Sequence, residues 1–292
     1  MSTPVQNPTA GRFAATAWVG RGVRRATGAN ASLTIGVVIV GVLMLLAILA
    51  SVIAPYDPLR QDVTNTLAAP GGDHLLGTDA LGRDVLSRLL YGARTDMFVA
   101  VGAVLSPFVI GMVVGTIAGY RGGILDRIVV GVVNVVFAFP VLVLLIALVF
   151  VLGPGIVTIV IAVTAVSWVA YARLARDLVR RERSKEYVLA ARVSGIPTWR
   201  ILGGHVLPNV ISQPVIYAMS DIVGIILFIT ALGFLGLGVP PPAPDWGTMI
   251  ADAQPYLESQ WWLAVIPGVA IVIAGFGLSL IADGLAQKWD AT

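Results

Sequence analysis

The sequence contains no cysteine and few charged residues, and both shortages restrict what the protein can be. Without cysteine there is no disulfide framework, no thiol nucleophile and no cysteine-ligated zinc. Charged residues make up 12% of the 292-residue chain, whereas soluble domains carry about 25%. Hydrophobic residues make up 57% of the chain, and the mean hydropathy is +0.89. This composition predicts a protein that resides in a lipid bilayer.

The sequence also lacks the motifs of common catalytic sites. It has no GxxxxGK[ST] phosphate loop, no GxSxG nucleophile turn and no HExxH metal motif. Its two histidines, His74 and His205, are far apart in the chain, which leaves little for a histidine-rich metal site. An enzyme embedded in the membrane would need several titratable residues within its spans, and only Asp221 and Asp283 qualify. We therefore expect a non-catalytic chain that binds no cofactor or metal of its own.

Charge-free runs predict six membrane-spanning helices in one all-α domain, residues 31–292. A helix needs roughly 20 apolar residues to cross the hydrocarbon. The run 128–172 is too long for one span, and Gly153-Pro154-Gly155 supplies a turn between two helices. The predicted spans are about 33–55, 97–120, 128–152, 156–175, 209–238 and 262–283.

The distribution of basic residues predicts the orientation of these spans. Of the 19 Lys and Arg residues, 15 lie in segments that would share one side of the membrane, and four lie in 57–96. Segment 239–261 has no basic residue. Because cytoplasmic loops carry the excess of Lys and Arg, 57–96 and 239–261 are predicted to be external and both termini cytoplasmic. The same placement of charge argues against nucleic-acid binding, despite the net charge of +3.

The N-terminal region resembles a signal peptide only superficially. Basic residues from Arg12 to Arg25 precede an apolar run, but that run is longer than a signal-peptide core. We expect residues 1–30 to be a cytoplasmic tail and the run to be an uncleaved first span.

The 40-residue segment 57–96 is too long for a bare connector, so it is expected to be functional or ordered. Apolar residues recur in it at helical spacing and predict a short amphipathic helix on the outer face. These residues are Leu81, Val85, Leu86, Leu89 and Leu90.

Four stretches resemble the dipeptide, oligopeptide and nickel permease family of ABC importers. The most specific is GTDALGRDVLSRLLYGAR at 77–94, which is similar to the segment preceding the second span in that family. The stretches FLGLGVPPPAPDWGTMI at 234–250 and PGVAIVIAGFGLSLIADGLAQKWD at 267–290 are similar to the turn after the fifth span and to the last helix. Together with 185–208, the resemblance covers about residues 33–290.

The stretch KEYVLAARVSGIPTWRILGGHVLP at 185–208 resembles the cytoplasmic coupling loop of these permeases, which contacts an ATPase. Leu189 and His205 replace the family's Glu and Ile. We expect Ser184 to cap a first short helix, Gly195 to end it, Pro197 to open a second, and Gly203-Gly204 to end that one. A helix lying in the membrane interface is the alternative. The resemblance assigns ATPase coupling within loop 176–208 to Glu186, Ala190, Ala191, Gly195, Trp199, His205, Leu207 and Pro208.

The resemblance implies a type I ABC importer permease in the bacterial cytoplasmic membrane, forming half of a pathway for dipeptides or oligopeptides. Implied partners are a homologous second permease, two ATPase subunits or one fused ATPase that bind ATP and Mg²⁺, and an external solute-binding protein. Asp79, Arg83, Asp84 and Arg88 would receive the binding protein, or else form a scaffold through local ion pairs. Nickel or another small solute remains an alternative substrate. A self-contained secondary transporter would need internal repeats and usually more charges within its spans.

Two features lie inside the predicted spans. Asp221 falls near the middle of the fifth span, where an acid is costly. It is either a pathway residue that attracts a peptide's ammonium group or an acid paired near a boundary. Gly111, Gly115 and Gly119 form a stripe of small residues on the second span, which predicts close helix packing.

Overall fold

The computed structural model describes residues 31–290, and every regular element within that range is a helix. The predicted tail 1–30 lies outside the described residues. The helices are α1 (Ala31–Ile48), α2 (Ala50–Ile53), α3 (Val85–Arg121), α4 (Gly123–Phe137), α5 (Val141–Leu152), α6 (Ile156–Glu182), α7 (Glu186–Val193), α8 (Thr198–Ile201), α9 (Leu207–Val210), α10 (Ser212–Phe234), α11 (Trp246–Ala253) and α12 (Trp262–Asp290). A π-helical turn, Leu202–Val206, joins α8 to α9.

Five helices, α1, α3, α6, α10 and α12, are each long and apolar enough to cross a membrane. The pair α4–α5 makes a sixth span if its two halves are counted together, although they are bent by 89°. The segment predicted as one span at about 128–152 is therefore not one continuous helix. Pro140 lacks an N–H group and restricts Phe139 before it, so the helix breaks at 138–140. The turn predicted at Gly153-Pro154-Gly155 is confirmed between α5 and α6.

The external segment and the second span share one helix, which corrects a second expectation. Residues 57–96 form no separate amphipathic helix, because α3 begins at Val85 and continues unbroken for 37 residues. The polar residues before position 97 do not interrupt it. The Thr95 hydroxyl donates to the Tyr91 carbonyl, and the Asp96 carboxylate accepts from the Trp246 N–H. At 1.5 Å per residue α3 is about 56 Å long, well beyond the roughly 30 Å of hydrocarbon.

Two other spans, α6 and α12, also extend past their charge-free runs. Helix α6 continues to Glu182 instead of ending near 175, because arginine and leucine favour helix and Arg176 forms an ion pair with Asp126 of α4. Helix α12 continues to Asp290.

The centre of the bundle is the contact between α3 and α6. A Cβ atom added at Gly111 would lie 2.5 Å from the Trp168 carbonyl oxygen, and one at Gly119 would lie 2.6 Å from that of Arg176. Gly115 is equally close to the Ala172 carbonyl. The two backbones therefore touch along three turns, as the glycine stripe predicts. The contacts advance together in both helices, so α3 and α6 run parallel and end on the same side.

The remaining contacts sort the loops into two groups. Leu33 of α1 packs on Gly284 of α12, so the two ends of the described chain lie together. The apolar cluster that joins Tyr120 and Val179 to Val206 places segment 183–211 on the side where α3 and α6 end. Segments 54–84 and 235–261 contact the start of α3 on the opposite side. We call segment 183–211 the elbow and its side of the bundle the elbow end. The side with segments 54–84 and 235–261 is the outer end.

Replacing Gly115 with Val is expected to destabilise the protein by about 1–3 kcal/mol or more, because the new side chain overlaps the backbone of α6. Gly102 lies on the same helix with no atom within 4 Å of an added Cβ, so Gly102→Val is the matched control. The melting temperature of the protein purified in detergent should fall clearly for Gly115→Val only. Equal shifts for both variants would contradict close packing as the cause.

Candidate functional site

The outer end is organised by ion pairs that are shielded from solvent. The Asp79 carboxylate accepts from the Arg83 Nε at 2.6 Å and lies 3.4 Å from the Arg88 Nε. Asp84 caps α3 by accepting from the Ser87 N–H at 2.8 Å, and its other oxygen lies 2.9 Å from the His74 Nδ1. Asp84 is only 2% exposed and Arg88 only 3%.

This geometry shows what the four residues predicted to receive a binding protein do within the chain. The structure brings Asp79, Arg83 and Arg88 together and places Asp84 nearby at the start of α3. All four point into the protein, and Asp252 on α11 adds a half-exposed carboxylate 3.4 Å from Arg83. Removing one member of such a set leaves an uncompensated buried charge. Their position therefore fixes the shape of the outer segment.

A second contact locks α11 onto α3. Trp246 is buried, its indole N–H donates to the Leu89 carbonyl at 3.1 Å, and its main-chain N–H donates to Asp96 at 2.9 Å. Gly92 leaves room for the indole ring. Asp245 caps α11 through the Thr248 N–H, and burial raises the pKa of this carboxyl above its usual range. The Asp-Trp-Gly stretch is thus a packing element, and Asp96, which the sequence analysis did not single out, is its partner.

The elbow end contains the residues predicted to couple to an ATPase. Helix α7 ends where expected, because Gly195 has a φ of +74° and its N–H donates to the Arg192 carbonyl. Glu186 lies in the first turn of α7, but Ser184 does not cap it. Instead its hydroxyl donates to the Arg181 carbonyl, since the backbone reaches Lys185 before it becomes extended.

The second short helix differs from the expectation. Pro197 precedes α8 as its cap, and Gly203-Gly204 do not end the helical path. They lie in the π turn Leu202–Val206, which leads directly into α9. Pro208 explains this turn, because it has no N–H to offer the Gly204 carbonyl and its ring crowds that oxygen.

One face of the elbow is attached firmly to the bundle. Val188, Ile201 and Val206 are buried against Tyr120 and Val179. The Arg183 guanidinium donates to the Tyr120 carbonyl at 2.6 Å, and the Arg192 guanidinium lies 4.7 Å above the Tyr120 ring. Burial and a hydrogen bond to Glu182 raise the pKa of the Tyr187 hydroxyl. Tyr120 is a central anchor that no sequence signal singled out.

The other face of the elbow is apolar and open. Val193 is 90% exposed and Trp199 is 68% exposed, and Leu189 is also exposed. Of the predicted coupling residues, Ala191 is buried and His205 and Leu207 are half-buried. The remaining predicted residues lie on the surface: Glu186, Ala190, Gly195, Trp199 and Pro208. Large apolar side chains exposed outside the membrane spans are typical of a surface that a partner covers.

Asp221 lies about 14 Å along α10 from Ser212 at 1.5 Å per residue. Its carboxylate accepts from the Tyr171 hydroxyl at 2.7 Å. The Tyr171 ring is held edge-on between Phe108 and Tyr217, at 5.6 and 5.1 Å between ring centroids. The partner of this acid is thus a neutral hydroxyl on α6 rather than a cation.

Comparison with known families shows the class of protein to which this bundle of membrane helices belongs. The model described as "Binding-protein-dependent transport system inner membrane component" matches residues 111–291, and that described as "N-terminal TM domain of oligopeptide transport permease C" matches residues 23–70. The chain belongs to this family of binding-protein-dependent transport system inner-membrane components.

Individual relatives indicate which transport systems within the family this chain resembles. The chain is 40% identical over 250 residues to the di/tripeptide transport system permease protein DppC of Pseudomonas aeruginosa, covering 84% of this chain and 82% of the relative. It is 40% identical over 267 residues to the dipeptide permease protein DppC of Escherichia coli K12, covering 89% of each. It is 37% identical over 257 residues to the oligopeptide permease protein OppC of Bacillus subtilis, covering 88% and 84%.

Family membership confirms the predicted type I permease fold and a multi-pass location in the inner membrane. As a permease of an ABC transport system, the chain works with other subunits that bind solute and hydrolyse ATP. Within residues 31–290, no group of three or more His, Asp or Glu side chains could hold a metal ion.

Removing the Asp84 side chain is expected to destabilise the outer segment by about 1–3 kcal/mol, because Ser87 and His74 lose a buried acceptor. Asp57 accepts from the Leu59 N–H on the surface, so Asp57→Ala is the matched control. Hydrogen exchange of residues 54–96 in the purified protein should speed up for Asp84→Ala. Similar exchange in both variants would show that burial of Asp84 contributes nothing.

Proposed function

We propose that this chain is the permease subunit that forms half of the translocation pathway of an ATP-driven importer of dipeptides or oligopeptides. The named relatives transport di-, tri- and oligopeptides, which favours peptides over nickel. The observation that carries the proposal is the elbow, with one face attached to the bundle and an open apolar face directed away from it.

The open face of the elbow is where an ATPase subunit binds. Full burial of a side chain such as Val or Leu is worth about 1.5–3 kcal/mol, so Val193, Leu189 and Trp199 supply a compact source of binding energy. Helix α7 is anchored to α3 through Arg192 and Tyr120, and α8 packs on the same cluster through Ile201. A displacement of the ATPase would therefore move the membrane helices rather than only the loop.

The other partners follow from the same arrangement. A homologous second permease completes the pathway, and two ATPase subunits, or one fused ATPase, bind ATP and Mg²⁺. A solute-binding protein contacts the outer end, which lies on the external side. There Asp79, Arg83, Asp84 and Arg88 act as the internal support of the docking surface. Exposed carboxylates, such as those of Asp57, Asp73 and Asp252, supply its charge.

Replacing Val193 with Asp is expected to weaken binding of the ATPase at least about tenfold, because a charge replaces an apolar contact worth roughly 1.5 kcal/mol. Val63 is 81% exposed at the outer end, so Val63→Asp is the matched control. Affinity for the ATPase and its stimulation by loaded binding protein are measured on reconstituted complexes. If Val63→Asp matched Val193→Asp, or if Val193→Asp had no effect, the elbow would not be the ATPase site.

The orientation is tested by cysteine labelling. A cysteine at Asp73 should react with an impermeant reagent added outside intact cells, whereas one at Arg181 should react only after permeabilisation. Both positions are exposed, so access to the correct compartment decides the result. The reverse pattern would overturn the orientation.

A further inference from the structure

Helix α10 and the residue before it carry a polar stripe at a place where a lipid-facing helix would be apolar. Asn209, Gln213, Tyr217 and Ser220 are all exposed, at spacings of four, four and three residues that keep them on one face. Along the middle of α12, by contrast, large apolar side chains are exposed: Val265, Val269, Val272, Ile273 and Phe276. Polar groups in lipid are costly and normally face a water-filled cavity or protein. The α10 stripe is therefore not a lipid-facing surface.

Asp221 lies at the edge of this stripe, next to Ser220. Its Oδ2 accepts from Tyr171, and the described residues place no other hydrogen bond and no ion pair on the carboxylate. A carboxylate has about four acceptor positions, so most of its capacity is unused. Tyr171 is fully buried and held by Phe108 and Tyr217, which fixes the orientation of the acid.

The second feature of this region is the exposed aromatic ring of Tyr217. Tyr217 is four residues before Asp221, so both belong to adjacent turns of α10. An anionic carboxylate one helical turn from an exposed aromatic ring is an arrangement that favours an ammonium group, through ion pairing and cation–π attraction. Neither Asp221 nor Tyr217 is paired with a cationic side chain in residues 31–290.

We propose that Asp221 and Tyr217, positioned by Tyr171, form a subsite for the ammonium group of a peptide on the wall of the translocation pathway formed by the α10 stripe. This deepens the proposed function and rests on it for the peptide, whereas the cation preference of the stripe can be measured without transport. Asp221 is only half-buried and Tyr217 is exposed, so the subsite would hold a peptide weakly while it passes.

The chain has no cysteine, so a single cysteine at Ser220 can be introduced without other changes. In the reconstituted complex, its modification rates are compared for a cationic trimethylammonium-ethyl and an anionic sulfonatoethyl methanethiosulfonate. After division by the rates with a free thiol, the cationic reagent should react at least about fivefold faster than the anionic one, as expected near a carboxylate without a cationic partner. Adding Asp221→Asn should remove most of this preference, and Asp221→Glu should retain it. Val272→Cys, on the exposed apolar face of α12, should react with neither reagent. Adding Asp177→Asn, which removes a carboxylate paired with Arg176 on α6, should leave the preference at Ser220→Cys unchanged.

Peptide recognition is tested on the same Ser220→Cys complex. Alanyl-alanine with a free amine should slow its modification, whereas N-acetyl-alanyl-alanine should not, and Asp221→Asn should abolish the difference. Equal rates for both reagents with Asp221 intact, no modification because another subunit covers the stripe, or equal protection by both peptides would each overturn the subsite. Substrate-stimulated ATP hydrolysis by the unmodified complex, measured in the same preparation, tests the proposed importer function separately.

Discussion

The backbone contact between α3 and α6 is the constraint on which the rest of the structure depends. In a bilayer no hydrophobic force pulls one apolar helix onto another, so association relies on close packing and small residues. Gly111, Gly115 and Gly119 let the two backbones meet over three turns. Because the two helices run parallel, this one contact positions both the start of α3 at the outer end and the end of α6 at the elbow.

The outer end and the elbow end place their charged and apolar side chains in opposite ways. At the outer end the charges are turned inward: Asp84 accepts from Ser87, and Arg88 lies within ion-pair distance of Asp79. At the elbow end the polar groups of Arg183 and Arg192 attach the segment to Tyr120, while apolar side chains remain open. A surface supported by buried ion pairs keeps its shape when it meets a partner. A surface with open apolar groups gains free energy when a partner covers it.

Helix α10 connects these two ends. It follows directly from the elbow through the π turn and α9, and it reaches the outer end where Gly233 lies against Asp245 and Gly247. Tyr171 of the α3–α6 pair contacts Asp221 near the middle of α10. In the function we propose, the helix that lines the pathway is therefore also the helix that receives movement from the ATPase.

The sequence by itself determined the membrane class, the Gly153-Pro154-Gly155 turn, the end of α7 at Gly195 and the glycine contact. Each depends on composition or on a local backbone preference that acts wherever the residue lies. Motif resemblance added the family and the elbow. The tertiary structure alone decided that α3 is one continuous helix, since the Asp96–Trp246 contact that satisfies the acid inside it joins residues 150 positions apart in sequence. It also decided that Asp79, Arg83, Asp84 and Arg88 point inward, because burial depends on which neighbours surround a side chain, and spacing along the chain does not specify those neighbours.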